Sequence, residues 1–246
     1  MILATKRMHL PPKQALSEDE AKVKMILELP PKQTSSKDTD DAMEVDDQTE
    51  QLWMKIEDVQ LTEADKFIVT EVVQLSDKHI NAVQKLLQAN HPNLKGMCST
   101  LVAGRRKLPP SGLQAFFVRG NHWIVLSTLD CRSGEVNVYD SLYSNQDADT
   151  LSAISGLLEV HRPPVIINLM KIGKQKGGND CGLFAVAVLT ALAFGVNVTK
   201  VKFDQGRMRP HLVKCIDSKE MTLFPSSCIP SHDTMPANAI MKTLCL

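Results

Sequence analysis

The order of apolar and polar residues changes period several times between Leu75 and Gly195, and each change marks an element. In LSDKHINAVQKLLQANHP, from Leu75 to Pro92, the apolar residues Ile80, Val83, Leu86 and Leu87 recur at helical spacing behind a Ser76 or Asp77 N-cap. Pro92 stops the run, so an amphipathic helix is predicted. From Leu113 the pattern turns β-like: LQAFFVRG and HWIVLSTLD are rich in aromatic and β-branched residues, with Arg119-Gly120-Asn121 between them as a hairpin turn. CRSGEVNVYDSL adds a second turn at Ser133-Gly134 and a third strand in which Val136 and Val138 alternate with polar positions. Leu151 to Val160 is helical in pattern, and PPVIINLMKI predicts a buried strand opened by two prolines. Cys181 to Phe194 predicts a buried helix with Gly195 as its C-terminal stop. Together these elements make an α+β or mixed α/β domain.

Residues 1–60 read differently. They contain two Pro-Pro pairs, polar spacers and an acidic run from Asp38 to Glu50, too little apolar material to order the segment. The expected organisation is therefore a disordered acidic and Pro-rich segment over 1–60, a folded domain over 61–228 and a C-terminal tail over 229–246. LPPKQ, which occurs at Leu10 to Gln14 and again at Leu29 to Gln33, is too short to count as a repeat. Val23 to Leu27 could add to the sheet edge of a partner, but a chance run explains it better.

Formal net charge is zero, with 28 basic and 28 acidic residues in 246, which argues against a chain built as a polyanion binder. The balance hides an asymmetry: up to Lys66 there are 9 basic and 15 acidic side chains, net −6, leaving 19 and 13 beyond it, net +6. The basic groups around Arg105 to Lys107 and Arg207, Arg209 and Lys214 lack interleaved aromatics, so a solvated surface or one facing a protein is expected rather than nucleic acid. Six widely spaced cysteines without a CxxC pair indicate reduced thiols in an intracellular protein, nuclear or cytoplasmic, with no metal and no cofactor. No apolar run reaches the length of a membrane span. GKQKGG near Lys174 lacks the ending and spacing of a phosphate-binding loop.

The candidate chemistry lies in KQKGGNDCGLFAVAVLTALAFG, from Lys174 to Gly195. A cysteine at a helix N-terminus sits at the positive end of the macrodipole beside unpaired N–H groups, which lowers its pKa and offers a place for an oxyanion. Gly177-Gly178 lets backbone approach a ligand, and the apolar body of the helix holds the thiol rigidly. Such a thiolate needs a base and a group to orient it. His122, opening one strand after the turn, and Asp140, closing the next, would meet at one end of a sheet. Singly, each residue is more ordinary: a buried small hydrophobe, a structural histidine, a turn aspartate. Their joint arrangement is what points to catalysis.

GNHWIVLSTLDCRSGEVNVYDSLYS followed by QKGGNDCGLFAVA resembles the Ulp/SENP-like cysteine peptidases, in particular divergent members associated with mobile elements. The resemblance spans about residues 70–225 and implies a papain-like fold of the Ulp type, a central mixed sheet flanked by helices with the nucleophile at a helix N-terminus. It implies Cys181 as nucleophile, His122 as general base, Asp140 as the group fixing the imidazole tautomer, and Gln175 as an oxyanion donor beside the Cys181 N–H. It also implies a narrow channel for a Gly-Gly terminus, formed by Trp123, Gly177, Gly178 and the stretch around Gln74 and Asp77. At Gln74 the family usually carries a Trp that covers this channel, so substrate hold and identity are where this chain should differ. The implied partner is a ubiquitin-like protein modifier or its conjugates, SUMO-like first. Two alternatives remain open: a weakly active or inactive module that binds such modifiers, from a domesticated mobile element, and an acyltransferase using the same triad. The peptidase reading requires imidazole, carboxylate and sulfur to gather at one cleft without sealing the sulfur inside.

Overall fold

A computed structural model describes residues 51–158 and 164–229, and the backbone of Ile240–Leu244. The described residues lie in one compact unit. The chain enters as a hairpin, β1 (Leu52–Ile56) and β2 (Val59–Thr62), followed by α1 (Glu63–Thr70) and α2 (Asp77–Asn90). Then come β3 (Lys95–Gly96), α3 (Thr100–Ala103), β4 (Gly112–Val118), β5 (His122–Ser127), β6 (Glu135–Tyr139), α4 (Ala148–Leu157) and β7 (Val165–Met170). The C-terminal part holds α5 (Cys181–Ala193), a 3₁₀ turn (Val198–Lys200), β8 (Val201–Phe203), α6 (Gln205–Ser218), β9 (Ser226–Cys228) and β10 (Ile240–Leu244).

Six strands form the central mixed sheet in the order β10-β7-β6-β5-β4-β3. Because β4, β5 and β6 are antiparallel neighbours and β6 and β7 are parallel, the start of β5 and the ends of β6 and β7 fall at one end of the sheet. Every residue of β5 is buried. Its period of two sends Trp123 and Val125 into a core with α2, α5 and α6, and Ile124 and Leu126 into a second core that includes α4 residues. Helix α5 is apolar all round because the sheet covers one side and other helices the rest; only its last turn reaches the surface. Arg119 and Gly120 both take positive φ in the β4–β5 turn, the geometry a tight hairpin needs.

Three expectations change. The fold begins at Leu52 rather than near residue 61: LWMKI and VQLT pair across a Glu57-Asp58 turn, bury Ile56 and Leu61, and tie to α6 through a 2.7 Å hydrogen bond from Trp53 Nε1 to Asp217. The neighbouring acidic run masks this alternation in the sequence. Helix α4 starts at Ala148, three residues earlier than its apolar pattern suggested, because Asp147 caps it by accepting from the Thr150 N–H at 2.7 Å. Within the expected C-terminal tail, Ile240–Leu244 adds to the free edge of β7 as an antiparallel strand. The expected segment up to residue 50 lies outside the described residues.

Gly182, the second residue of α5, sits where a Cβ would come within 2.9 Å of Leu75 Cβ and 3.2 Å of the Trp123 ring. Overpacking of this kind costs about 1–3 kcal/mol. Gly182→Ala is therefore expected to lower the free energy of unfolding by that amount, read by circular dichroism as a lower urea midpoint with an unchanged m-value.

Candidate active site

The sheet's connectivity delivers three groups to one end. His122 is the first residue of β5, Asp140 follows the last residue of β6, and the loop after β7 returns to start α5 at Cys181. His122 Nε2 donates to Asp140 Oδ1 at 2.9 Å. The same carboxylate oxygen accepts from the backbone N–H groups of Leu142 (2.7 Å) and Tyr143 (2.8 Å), and Oδ2 accepts from Gln146 Nε2 at 2.6 Å. These donors keep Asp140 ionised and immobile: burial pushes its carboxyl pKa up, but the His122 bond and the further donors outweigh it and hold the value below the usual range. The Tyr143 ring meets the imidazole edge-on at 5.0 Å between centroids.

With Nε2 committed to Asp140, Nδ1 is the ring atom left to take the thiol proton. It is buried and has no conventional hydrogen-bond partner among the described residues. Burial opposes charge on the imidazole, yet the Asp140 bond and the interaction with Cys181 prevail and raise its pKa to about 9. For Cys181, burial pushes the thiol up, while the His122 contact, a backbone bond from the Trp123 stretch and the Gln74 amide pull it down further, so the net shift is downward. Both directions favour a thiolate–imidazolium pair.

Gln175 lies in the loop before α5, buried and clamped to Ser141: the Ser141 hydroxyl donates to its Oε1 at 2.6 Å, and its own N–H donates to the Ser141 carbonyl at 2.9 Å. The Nε2 group uses one hydrogen on the Gly177 carbonyl at 2.9 Å. Its second hydrogen remains for a ligand. Around Gly177, which has φ +77°, and around Gly178, a Cβ would meet nothing within 4 Å, so backbone and open space border the approach. Trp123 is buried rather than laid over the surface; its Nε1 donates to the Leu75 carbonyl at 3.1 Å and its ring packs against Phe117, 4.7 Å between centroids. Trp123, Phe117, Leu75, Leu101, Gln74 and Asp77 border a cavity of about 450 Å³, and of these Gln74 also bonds the Cys181 sulfur. The expected channel residues Gln74, Asp77 and Trp123 therefore share one cavity, whereas Gly177 and Gly178 belong to the loop before α5.

The requirement of an unsealed sulfur is not met in this structure: Cys181 has 0% exposure and belongs to the buried core cluster. Gln74 covers it, donating from Nε2 to Sγ at 3.3 Å and to the Asn121 carbonyl at 2.6 Å.

Sequence reasoning missed the residues that hold the frame. Arg209, expected on a solvated surface, is buried and pairs with Asp180, the residue before the nucleophile, at 2.5 Å. It also donates to the carbonyls of Ile68, Val69, Glu71 and Val73, so one guanidinium joins the end of α1, the stretch leading to Gln74 and the start of α5. Gln205 supports Asp180 from the other oxygen at 2.5 Å. Ser141 and Gln146 flank or follow Asp140 in DSLYSNQ, and nothing in their local pattern announces these roles. Among the described residues no group of three or more His, Cys, Asp or Glu is placed to hold a metal ion, and no helix is long and apolar enough to cross a membrane.

Comparison with curated proteins gave no match. Among solved structures, the C-terminal Ulp1 protease domain in complex with Smt3, the yeast ortholog of SUMO, matches with a TM-score of 0.55 at 16% identity, covering 68% of this chain and 87% of that one. The SUMO protease Ulp1 with its catalytic cysteine oxidized to a sulfinic acid matches with a TM-score of 0.57 at 15% identity, covering 71% and 90%. These likenesses show the fold. The model of the Ulp1 protease family, C-terminal catalytic domain, matches residues 113–220, the stretch from β4 past the end of α6 that contains His122, Asp140, Gln175 and Cys181. Residues 113–220 are thus similar to the catalytic domain of the Ulp1 protease family, and the fold is the one seen in such domains.

Proposed function

We propose that this domain is a peptidase or isopeptidase that cleaves after the Gly-Gly terminus of a ubiquitin-like modifier, SUMO-like in class. The observation that carries the reading is the imidazole of His122, fixed through Nε2 by Asp140 and coupled on its other side to a thiol at the N-terminus of α5. In the forward step the Cys181 thiolate attacks the acyl carbon, and the protonated imidazole donates to the leaving amine. Water, deprotonated by the same imidazole, then releases the thioester. The oxyanion would form beside the first turn of α5, taking the Cys181 N–H and the second amide hydrogen of Gln175 as donors. Selectivity for a terminus without side chains would be set by the groove that Leu75 and Trp123 border together with Gln74. The structural relatives include a complex with Smt3, which supports a modifier of that class as substrate.

A second reading, a module that binds such modifiers without turnover, draws on the covered state of Cys181. Probes made from SUMO, NEDD8 or ubiquitin with a C-terminal electrophile separate the two. The peptidase reading predicts a covalent adduct with the SUMO-type probe that disappears in Cys181→Ala. It further predicts that Gln175→Ala lowers turnover of the matching fluorogenic substrate by about 10²–10³-fold. Reversible binding, equal in the parent and Cys181→Ala proteins and without an adduct, would establish the module instead.

A further inference from the structure

The Gln74 side chain occupies the position that decides whether anything reaches Cys181. Its backbone is pinned on both sides. The Val73 carbonyl accepts from Arg209 at 2.8 Å, the Val72 carbonyl from Asn179 Nδ2 at 2.9 Å, and the Leu75 carbonyl from Trp123 Nε1 at 3.1 Å. Movement is therefore left to the side chain, whose rotors are unrestrained by any other side-chain bond than the two made by its amide. Those two bonds span the cleft. One reaches the Asn121 carbonyl on the β4–β5 hairpin, the other reaches Sγ, so the amide forms a bridge between two walls with the sulfur beneath it. On the outer side lies the 450 Å³ cavity, lined by Leu75, Leu101, Phe117 and Trp123.

From this geometry we infer that Gln74 is a gating and positioning residue of the nucleophile: in the empty enzyme its amide bridges Asn121 and Sγ, and an incoming main chain takes its place. The ligand fit for this exchange is an extended peptide terminus. Such a chain offers a main-chain carbonyl to the amide hydrogen released from Asn121, and an N–H to the Asn121 carbonyl left open. No bond other than hydrogen bonds is made or broken in the exchange. Two consequences separate in experiment. As a cover, Gln74 slows access to the sulfur; as a donor, it stabilises the thiolate. A phenyl ring at this position would cover the cleft without supplying a donor to sulfur, and a small residue would do neither.

The inference rests on the assignment of Cys181 as nucleophile, and the test reads that thiol without any protein substrate. Alkylation by iodoacetamide is followed over pH, with the Cys181 peptide quantified by mass spectrometry and the buried Cys215 serving as a check on folding. Gln74→Ala is expected to raise the limiting alkylation rate of Cys181, reached above the titration midpoint, on the order of tenfold, because the cover is gone. Gln74→Glu keeps the size but exchanges the donor for a carboxylate, which can donate to neither Asn121 nor sulfur. It is expected to move the midpoint of the Cys181 profile upward by about one pH unit, the scale of a hydrogen bond to a charged group. A limiting rate in Gln74→Ala equal to the parent's, or an unmoved midpoint in Gln74→Glu, overturns the inference. Failure of every modifier probe to form an adduct while these alkylation results hold would reject the proposed substrate and leave the gate standing.

Discussion

The site depends on one hydrogen bond, from His122 Nε2 to Asp140, because it decides which imidazole nitrogen faces the sulfur. Removal of that acceptor would let the ring turn over or exchange tautomer, and Cys181 would lose its base although every strand stayed in place. The fold protects the bond from both ends. Antiparallel pairing of β5 with β6 brings the start of one strand beside the end of the other, and the turn after Asp140 closes on its carboxylate through two backbone donors. Lys174 Nζ then ties that turn down, donating to the carbonyls of Asp140 and Tyr143 at 3.0 and 2.7 Å. The carboxylate is held by so many donors that it acts as a fixed charge beside the imidazole.

A second constraint sets the position of the nucleophile. The first turn of α5 presents Cys181, yet a helix start is held only as well as its preceding loop. Arg209 and Gln205, both on α6, grip Asp180 just before the cysteine, and Arg209 reaches on to the end of α1. Removing one partner from a buried pair of this kind typically costs about 3–5 kcal/mol, since the remaining charge is stranded. The same guanidinium thus links stability to geometry, fixing how far the Gln74 stretch stands from the sulfur. The Gln74 stretch and the start of α5 are held by one side chain that does not touch the sulfur.

Much of this was legible in the sequence, for physical reasons that can be named. Strands β4 to β6 and helix α5 announce themselves because each obeys a single period over its length, and the central strand positions are filled by aromatic and β-branched residues. The candidate site residues His122, Asp140 and Cys181 were legible through their place at element ends, where a strand start, a strand end and a helix start share one rim. The β1–β2 hairpin was hidden by the acidic run before it. Arg209 was hidden because a charged residue on an amphipathic helix reads as solvent-facing unless its partners are known, and those partners are backbone carbonyls more than 130 positions away in sequence. Gln74 could be located as a departure from the family's usual Trp, but not its bridge to Asn121, which exists only once the α1–α2 connection and the β4–β5 hairpin stand face to face.

The central claim is that His122 is held as an imidazolium between two negative neighbours. Its titration can be followed by NMR of labelled imidazole, assigned with a His122 variant. Because the protonated ring is the form both neighbours favour, the account predicts that it stays charged through neutral pH and loses its proton only near pH 9, with Asp140→Asn moving that midpoint downward. A midpoint at the ordinary value of about 6.5 in the parent protein, unmoved by Asp140→Asn, would contradict it.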